Sequence, residues 1–302
     1  MFRREGRHMG FSKVQTVIQR VAAVHDLSGF GGGSLSAVIP ILSVMGIQVC
    51  TLPTAILSTH TGGFTDFHFR DLTEDMPLIV AHWRRLKLSF AGIYSGFLGS
   101  PTQIGIVKEL IRDFSQGSPL IVVDPVLGDD GMLYETMTSD MVLEMRRLVA
   151  CADVITPNIT EAAFLLGTAP VSSIAMAELK QWVRGLADMG PRCVIITSVP
   201  EDEGRGTSVI ALDRSTGRFW KVSCPYIPAH YPGTGDIFAS VITGSLLQGD
   251  SLPLSLDRAV QFVSMAIRAT FGYDFPERDG VFLERVLPSL NAPVSLSSYE
   301  LI

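Results

Sequence analysis

Cysteine is scarce in this sequence. Its 302 residues include four cysteines, and no two of them form a Cys-x-x-Cys pair. Cys50, Cys151 and Cys193 lie in or beside apolar segments, where a free thiol behaves as a small hydrophobic side chain. This distribution argues against a disulfide framework and against a structural zinc site.

Long hydrophobic runs are also missing. No apolar segment approaches the roughly 18 residues that indicate a membrane span. The basic residues 1–13 do not lead into the apolar stretch and cleavage site of a signal peptide. We therefore expect a cytoplasmic protein with no membrane partner, in which residues 1–13 form a disordered extension and Met9 is an alternative start.

Basic residues are fewer than acidic ones. The sequence has 24 Lys and Arg and 30 Asp and Glu, which gives a net charge of −6 at pH 7. Nucleic-acid-binding proteins cluster Lys and Arg against phosphates, so this balance argues against a nucleic-acid partner. It does not exclude a nucleotide, because backbone amides can hold a polyanion locally. Apolar residues, by contrast, are plentiful at 47%, which indicates a well-packed globular protein.

Short β-rich segments alternate with segments of helical periodicity, a pattern typical of βα units on a mainly parallel sheet. The strand segments are almost continuous in Val, Ile and Leu, as expected for strands covered on both faces. Strands are predicted over 17–24, 48–52, 88–94, 120–124, 154–156 and 193–197, with a hairpin over 207–223. Helices are predicted over 34–45, 102–114, 140–151, 160–166, 175–189, 236–248 and 256–270.

The chain shows no internal repeat, low-complexity tract or Pro/Gly-rich linker that would divide it. The segments 60–73 and 200–207 are polar and are predicted to be loops. We expect a single α/β domain over 14–290, followed by a C-terminal tail over 291–302.

Two polar segments follow the first two predicted strands. The segment HDLSGFGGGS at 25–34 is rich in glycine, but it contains neither G-x-G-x-x-G nor the G-x-x-x-x-G-K-[ST] phosphate loop. It is either a ligand-binding loop or a flexible connection in which Asp26 and Ser28 cap a turn. The segment STHTGGF at 58–64 combines hydroxyls, an imidazole and an aromatic ring. That mixture suits a polar heteroaromatic ligand, or equally a turn satisfied by its own backbone.

Acidic and amide side chains follow the fourth and fifth predicted strands. Asp124 precedes a proline and cannot continue into a helix, so its carboxylate is expected in the crevice beyond the sheet. Asn158 and Glu161 are three residues apart at a helix start, hence on one face. Their oxygens suit Mg²⁺, directly or through water. The alternative is an ordinary capping box, which has the same spacing.

The segment PGTGD at 232–236 opens a predicted amphipathic helix. Gly233 and Gly235 allow successive amides to turn toward one point, and the helix N-terminus adds a partial positive charge. Asp236 is expected to face the same point. Phosphoryl transfer needs both features together, namely donors for the phosphoryl group and a base for the attacking hydroxyl.

Asp236 by itself is also explained as a helix cap. Its combination with Asp124, Asn158 and Glu161 at successive strand ends favours the catalytic interpretation. The sequence therefore indicates a small-molecule kinase.

These segments together resemble the pyridoxal kinase family of the ribokinase-like superfamily, over about residues 17–270. The most specific motifs are STHTG at 58–62, DPVLGD at 124–129, TPNxxEA at 156–162 and GTGDxFA at 233–239. The resemblance implies a ribokinase-like fold, with a central, mainly parallel sheet flanked by helices on both faces. It implies transfer of the ATP γ-phosphoryl to the 5′-hydroxymethyl group of pyridoxal, pyridoxine or pyridoxamine. It also implies Mg²⁺ with ATP, a monovalent cation such as K⁺, and a homodimer.

The resemblance assigns expected roles to individual residues. Asp236 would be the base, assisted by the amides of Gly233, Thr234 and Gly235. Nucleotide contacts would come from Asp124, Asn158, Glu161, Thr197, Ser198, Thr234 and Gly235. Metal or cation contacts would come from Asp124, Asp129, Thr156 and Glu161. The alcohol would contact His60, Thr61, Tyr94 and Asp236.

The first segment departs from the family pattern. Many members carry Ser-His where this chain has His25-Asp26, and the segment is also similar to the D-x-S-G start of the hydroxymethylpyrimidine kinases. His25, Asp26 and Ser28 therefore all stay candidates for the contact with the pyridine ring.

Two alternatives accompany this interpretation. Hydroxymethylpyrimidine (phosphate) kinases of thiamine synthesis share the fold and chemistry, but they usually carry Cys at the position of Asp236. A non-catalytic protein that binds pyridoxal phosphate or a nucleotide commonly loses the base or the metal carboxylate, whereas this chain keeps Asp236 and Glu161.

Overall fold

The computed structural model describes residues 18–201, 206–225, 227–292 and 298–302. The disordered extension expected over 1–13 lies outside the described residues. Among the helices in the described ranges, none combines the length and apolar character that a membrane crossing requires.

The structure is built on one large sheet and one small hairpin. The strands are β1 (Arg20–Ser28), β2 (Gln48–Leu57), β3 (Phe69–Asp71), β4 (Gly92–Ser95), β5 (Leu120–Val123), β6 (Gly128–Asp129), β7 (Met132–Leu133), β8 (Val154–Ile155), β9 (Cys193–Pro200), β10 (Gly206–Asp213), β11 (Arg218–Pro225) and β12 (Tyr299–Leu301). The helices are α1 (Leu35–Val44), α2 (Met76–Arg85), α3 (Pro101–Asp113), α4 (Ser139–Val149), α5 (Ile159–Leu166), α6 (Met176–Asp188), α7 (Thr234–Gln248), α8 (Leu252–Thr270) and α9 (Leu283–Val286).

The large sheet has the strand order β12-β11-β10-β9-β8-β5-β4-β1-β2-β3. Its middle, from β9 to β2, is parallel throughout. Antiparallel strands extend it at both edges, β3 beside β2 and the β10–β11–β12 group beside β9. The prediction of a mainly parallel sheet is confirmed.

Helices cover both faces of this sheet. Val21 and Ala23 of β1 pack with residues of α1, α7 and α8, whereas Ala22 and Val24 pack with residues of α2 to α6. The alternation arises because successive side chains of a strand point to opposite faces. The expected α/β, ribokinase-like layering is therefore confirmed.

Two inner strands extend further than the sequence predicted. β1 and β2 stay paired beyond the end of β4, through Leu27 with Ile56 and Ser28 with Leu57. The register shifts between His25 and Leu27. The start of the glycine-rich segment therefore lies on β1 and not, as predicted, in a loop after it. The strand predicted over 88–94 is shorter and begins at Gly92, and residues 88–91 belong to the connection between α2 and this strand.

The strands β3, β6, β7 and β12 and the helices α2 and α9 were not predicted from the sequence. β3 lies inside the segment 60–73 that was predicted to be a loop, and β12 lies inside the predicted tail 291–302. Such short edge strands depend on the neighbour they pair with more than on their own composition. Ser298, the residue before β12, also anchors this strand to α8. Its backbone N–H and its hydroxyl donate hydrogen bonds to the buried carboxylate of Asp257, at 3.0 and 2.8 Å.

Candidate active site

The carboxyl ends of the parallel strands surround a cavity of about 450 Å³. Six residues that the sequence singled out lie on its wall: Asp26, His60, Thr61, Asp129, Gly233 and Asp236. They come from distant parts of the chain and meet here because the carboxyl ends of parallel strands share one edge of a sheet.

The N-terminus of α7 forms one side of the cavity. Gly233 precedes the helix with φ +83°, and a Cβ there would lie 2.4 Å from the carbonyl oxygen of Gly32. Only glycine allows this approach between the two glycine-rich turns. Gly233 has no side chain to cap α7, so the amides of Thr234 and Gly235 remain available to an anion.

The carboxylate of Asp236 lies in the first turn of α7, with 16% of the side chain exposed. Its Oδ2 accepts a hydrogen bond from the backbone N–H of Ser34, at 2.8 Å, and its Oδ1 lies 3.7 Å from Nδ1 of His25. Asp236 therefore caps α1 and not its own helix. The base candidate is held between the N-termini of two helices.

Asp26 lies beside Asp236 and is almost completely buried. Its two oxygens accept hydrogen bonds from the hydroxyls of Ser34 and Ser28. Burial raises the pKa of the Asp26 carboxyl, the bond from Ser34 opposes this rise, and the charge of Asp236 adds to it. Two neighbouring carboxylates are thus bridged by one serine.

His25 and Tyr94 lie behind the cavity wall, and both are fully buried. Their rings meet edge to face with 4.4 Å between centroids, and the Tyr94 hydroxyl donates to the main-chain oxygen of Asp236 at 3.4 Å. Ser28 is buried as well. Of the three candidates for the pyridine contact, Asp26 is the one that lines the cavity.

His60 is fixed by contacts within the protein. Its Nδ1 accepts from the N–H of Gly62 at 3.1 Å, which leaves Nε2 to donate to the carbonyl oxygen of Arg278 at 2.7 Å. A Cβ on Gly31 would lie only 2.2 Å from the ring, so this glycine is required for the close approach. Since both ring nitrogens are engaged, His60 offers a ligand its ring and not a free nitrogen.

Asp124 and Glu161 form a buried acidic pair beneath the cavity. Asp124 accepts from the hydroxyl of Thr156 at 2.9 Å, and burial together with the charge of Asp236 raises its pKa to about 7. Glu161 accepts from the backbone N–H groups of Asn158 and Leu127, at 2.8 and 3.0 Å. Burial and the charge of Asp124 raise the pKa of Glu161 well above its usual range.

Asn158 and Glu161 do form the capping box that was the structural alternative, since the Asn158 side chain also accepts from the N–H of Glu161 at 2.8 Å. The same pair nevertheless places an uncompensated buried carboxylate beside Asp124. The capping role and the predicted metal role are therefore compatible.

The remaining predicted residues lie at the end of β9 and on the β6–β7 hairpin. Thr197 is joined to Asn158 by a parallel β-bridge, and its backbone N–H donates a hydrogen bond to the carbonyl oxygen of Pro157 at 2.9 Å. Ser198 follows it with φ +56° and is exposed. Asp129, on the β6–β7 hairpin, accepts from the N–H of Asp130 at 2.9 Å, and burial raises its pKa.

The acidic pair is also the candidate site for a metal ion. Within the described ranges, no group of three or more His, Cys, Asp or Glu side chains is arranged to hold one alone. Mg²⁺ in kinases is usually bound by one or two carboxylates, with water and substrate phosphates completing its shell. Asp124 and Glu161 meet that requirement, because none of the ion pairs found among the described residues neutralises either carboxylate.

Several polar or aromatic residues of the cavity wall were not predicted as site residues, among them Ser34, Phe97, Tyr134 and His230. A serine at a helix start after three glycines is an N-cap signal, so Ser34 could have been singled out. The other three face the cavity because of how the β6–β7 hairpin and the loops before α3 and α7 fold. No local pattern identifies them.

The chain is similar to known kinases in both sequence and structure. Residues 29–277 match the family model for phosphomethylpyrimidine kinase. The chain is 27% identical over 246 residues to pyridoxal kinase PdxY of Granulibacter bethesdensis, covering 79% of this chain and 85% of that protein. It is 28% identical over 262 residues to the hydroxymethylpyrimidine/phosphomethylpyrimidine kinase of Haemophilus influenzae, covering 83% and 91%.

A solved structure is more similar. It is a Bacteroides thetaiotaomicron protein assigned to the phosphomethylpyrimidine kinases, in a crystal form with pyridoxal. It is 57% identical to this chain with a TM-score of 0.92, and the match covers 94% of this chain and 100% of the other.

Proposed function

The chain belongs to the phosphomethylpyrimidine kinase family of phosphotransferases, which includes pyridoxal kinase relatives, and on that premise we propose that it phosphorylates the 5′-hydroxymethyl group of pyridoxal, pyridoxine or pyridoxamine with ATP. The observation that carries this proposal is the position of Asp236. Its carboxylate reaches the cavity within the same helical turn as the free amides of Thr234 and Gly235.

In this mechanism Asp236 accepts the proton of the substrate hydroxyl as the oxygen attacks the γ-phosphorus of ATP, and the bond from that phosphorus to the bridging oxygen breaks to release ADP. The N-terminal amides of α7 bind the phosphoryl group while its charge redistributes in the transition state. The hydrogen bond from the backbone N–H of Ser34 holds the Asp236 carboxylate in place at the cavity, where it can take this proton.

Asp124 and Glu161 would hold Mg²⁺ in contact with the nucleotide phosphates, with Asp129 and Thr156 nearby. A bound Mg²⁺ neutralises phosphate charge. The protein's own contribution is to keep these two carboxylates buried and oriented, through Thr156, Asn158 and Leu127. A monovalent cation, like the homodimer, stays a prediction from the resemblance.

Two observations favour a B6 vitamer. The Bacteroides thetaiotaomicron structure, at 57% identity, contains pyridoxal. The residue at the base position is Asp236 and not the Cys usual in hydroxymethylpyrimidine kinases. Asp26 would then meet the polar edge of the pyridine ring, with His60 and Thr61 across the cavity.

Hydroxymethylpyrimidine is the second candidate, and Asp26 is the specific observation that favours it. Asp26, the first residue of the D-x-S-G segment, lies on the cavity wall, and the Haemophilus influenzae kinase is as similar in sequence as the pyridoxal kinase relative. Both substrates carry a hydroxymethyl group on a nitrogen heterocycle, so one base can serve either.

The deciding experiment measures ADP formation from Mg-ATP with pyridoxal, pyridoxine, pyridoxamine and hydroxymethylpyrimidine in parallel, with Asp236→Asn as the blank. We expect kcat/KM for at least one B6 vitamer to exceed that for hydroxymethylpyrimidine by about tenfold or more, which corresponds to ~1.4 kcal/mol of transition-state stabilisation. A higher value for hydroxymethylpyrimidine would overturn the vitamer assignment. No alcohol-dependent ADP with any of the four would overturn the activity.

A further inference from the structure

Ser34 has a backbone conformation that is unusual for a residue with a side chain. Its φ of 52° and ψ of −136° are the mirror image of the extended region and are normally adopted by glycine. Three glycines precede it, yet the strained position itself is a serine. Strain of this kind persists only where surrounding contacts impose it.

Two contacts of Ser34 account for the conformation. Its hydroxyl donates to Oδ1 of Asp26, and its backbone N–H donates to Oδ2 of Asp236 at 2.8 Å. Asp26 belongs to β1 and Asp236 to α7, and both are fixed by their own elements. The serine therefore ties the strand to the helix that carries the base.

We propose that Ser34 is a positioning residue for the phosphoryl transfer, whose backbone amide orients the Asp236 carboxylate while its hydroxyl bond to Asp26 keeps that amide in its strained conformation. The inference rests on the proposed role of Asp236 as the base. The amide, not the hydroxyl, acts on Asp236. The hydroxyl is needed only because a residue with a Cβ would otherwise leave this conformation.

This division of roles predicts a difference between two substitutions that remove the same hydroxyl. In Ser34→Ala the Cβ remains and its anchor to Asp26 is lost, so the backbone is expected to relax and turn the amide away from Asp236. In Ser34→Gly the anchor is also lost, but glycine adopts the conformation without strain and the amide stays in place. A simple loss of the hydroxyl would affect both variants equally.

The experiment measures kcat and both KM values with pyridoxal and Mg-ATP, together with thermal unfolding. We expect Ser34→Ala to lower kcat by about tenfold with an unchanged KM for ATP, because misplacing a catalytic group acts mainly on the transition state. We expect Ser34→Gly to keep a kcat several-fold higher than that of Ser34→Ala, whereas any change in the KM for pyridoxal should be shared, because both variants lose the hydroxyl bond to Asp26. The matched controls are Ser118→Ala and Ser118→Gly, since Ser118 also has a positive φ, 46°, but lies at the opposite edge of the sheet.

Equal kcat values for the two Ser34 variants would overturn the proposal. If Ser34→Ala does not fold, Ser34→Gly decides alone, and a tenfold loss there contradicts a role for the amide.

The double variant Ser34→Ala/Asp236→Asn separates this proposal from the proposed function. If Ser34 acts through Asp236, the double variant is no slower than Asp236→Asn, whereas additive losses contradict the proposal. If Asp236→Asn itself keeps normal turnover, the base assignment fails, whatever the Ser34 variants do.

Discussion

A cavity lies at each end of the parallel strands, one at the amino edge of the sheet and one at the carboxyl edge. The larger of these two cavities is not the candidate active site. At the amino ends of the strands a groove of about 800 Å³ is lined by residues that include Asp153, Arg192, Asp213 and Trp220. At the carboxyl ends the cavity is about 450 Å³. Volume alone would select the wrong edge.

The carboxyl groups at the two ends of the strands have pKa values shifted in opposite directions. Asp213 lies 3.8 Å from Arg192, and although burial opposes it, hydrogen bonds from Ser215 and the Arg192 charge keep its pKa below the usual value. At the other edge burial and mutual repulsion raise the pKa values of Asp26, Asp124 and Glu161. Paired charges stabilise a surface. Unpaired buried charges are costly and mark a place where a ligand is expected.

The largest expected effect is on catalysis by Asp236→Asn. We expect kcat to fall by ~10²-fold or more while ATP still binds, because the amide side chain keeps the shape but cannot accept the proton. Steady-state kinetics and nucleotide titration measure the two quantities. Asp213→Asn, at the amino edge, is the control and should leave kcat within about twofold. Near-normal turnover in Asp236→Asn would remove the distinction between the edges.

The next effect is on stability. Because the pKa of Asp124 rises to about 7 on folding, the folded protein binds more protons than the unfolded chain between about pH 4 and 7. The free energy of unfolding of the metal-free protein should therefore fall as pH rises through this window, by about 2 kcal/mol after allowance for solvent relaxation. The raised pKa values of Glu161 and Asp26 act in the same direction.

Urea unfolding in EDTA at pH 5 and pH 8 measures this slope. Asp124→Asn should flatten it. Asp213→Asn should not, because a lowered pKa contributes stability that is lost only as pH falls below the usual carboxyl range. A steeper slope in Asp124→Asn would contradict the assignment.

The smallest effect concerns Glu161→Gln. We expect the Mg²⁺ concentration for half-maximal rate to rise several-fold, since one negative charge is removed from the pair that would hold the ion. The variant also weakens one of the two hydrogen bonds that the backbone N–H groups of Asn158 and Leu127 donate to this side chain, which should lower the free energy of unfolding by about 1 kcal/mol. Asp153→Asn is the matched control, because Asp153 accepts the N–H of Ile121 at 2.8 Å on the other edge. Equal Mg²⁺ titrations for the two variants would show that Glu161 is structural only.

Much of this site could be predicted from local patterns. The segments at Asp124, Asn158 and Asp236 each follow a strand or open a helix, and the rules for parallel sheets bring them to one edge. The capping box at Asn158 and Glu161 was readable from spacing alone, and it forms. The extent of β1 was not readable, because it depends on pairing with β2 over Leu27 and Ser28.

The sequence by itself determined the fold class, the edge at which chemistry is placed and most of the carboxylates that gather there, because these follow from strand composition and from the order of short motifs. Only the tertiary structure decided which of His25, Asp26 and Ser28 lines the cavity, since burial depends on a register shift within β1. It alone joined Ser34 to Asp236 across 202 positions of sequence. Such a bond leaves no periodicity or spacing to read, because it exists only when two helix termini meet.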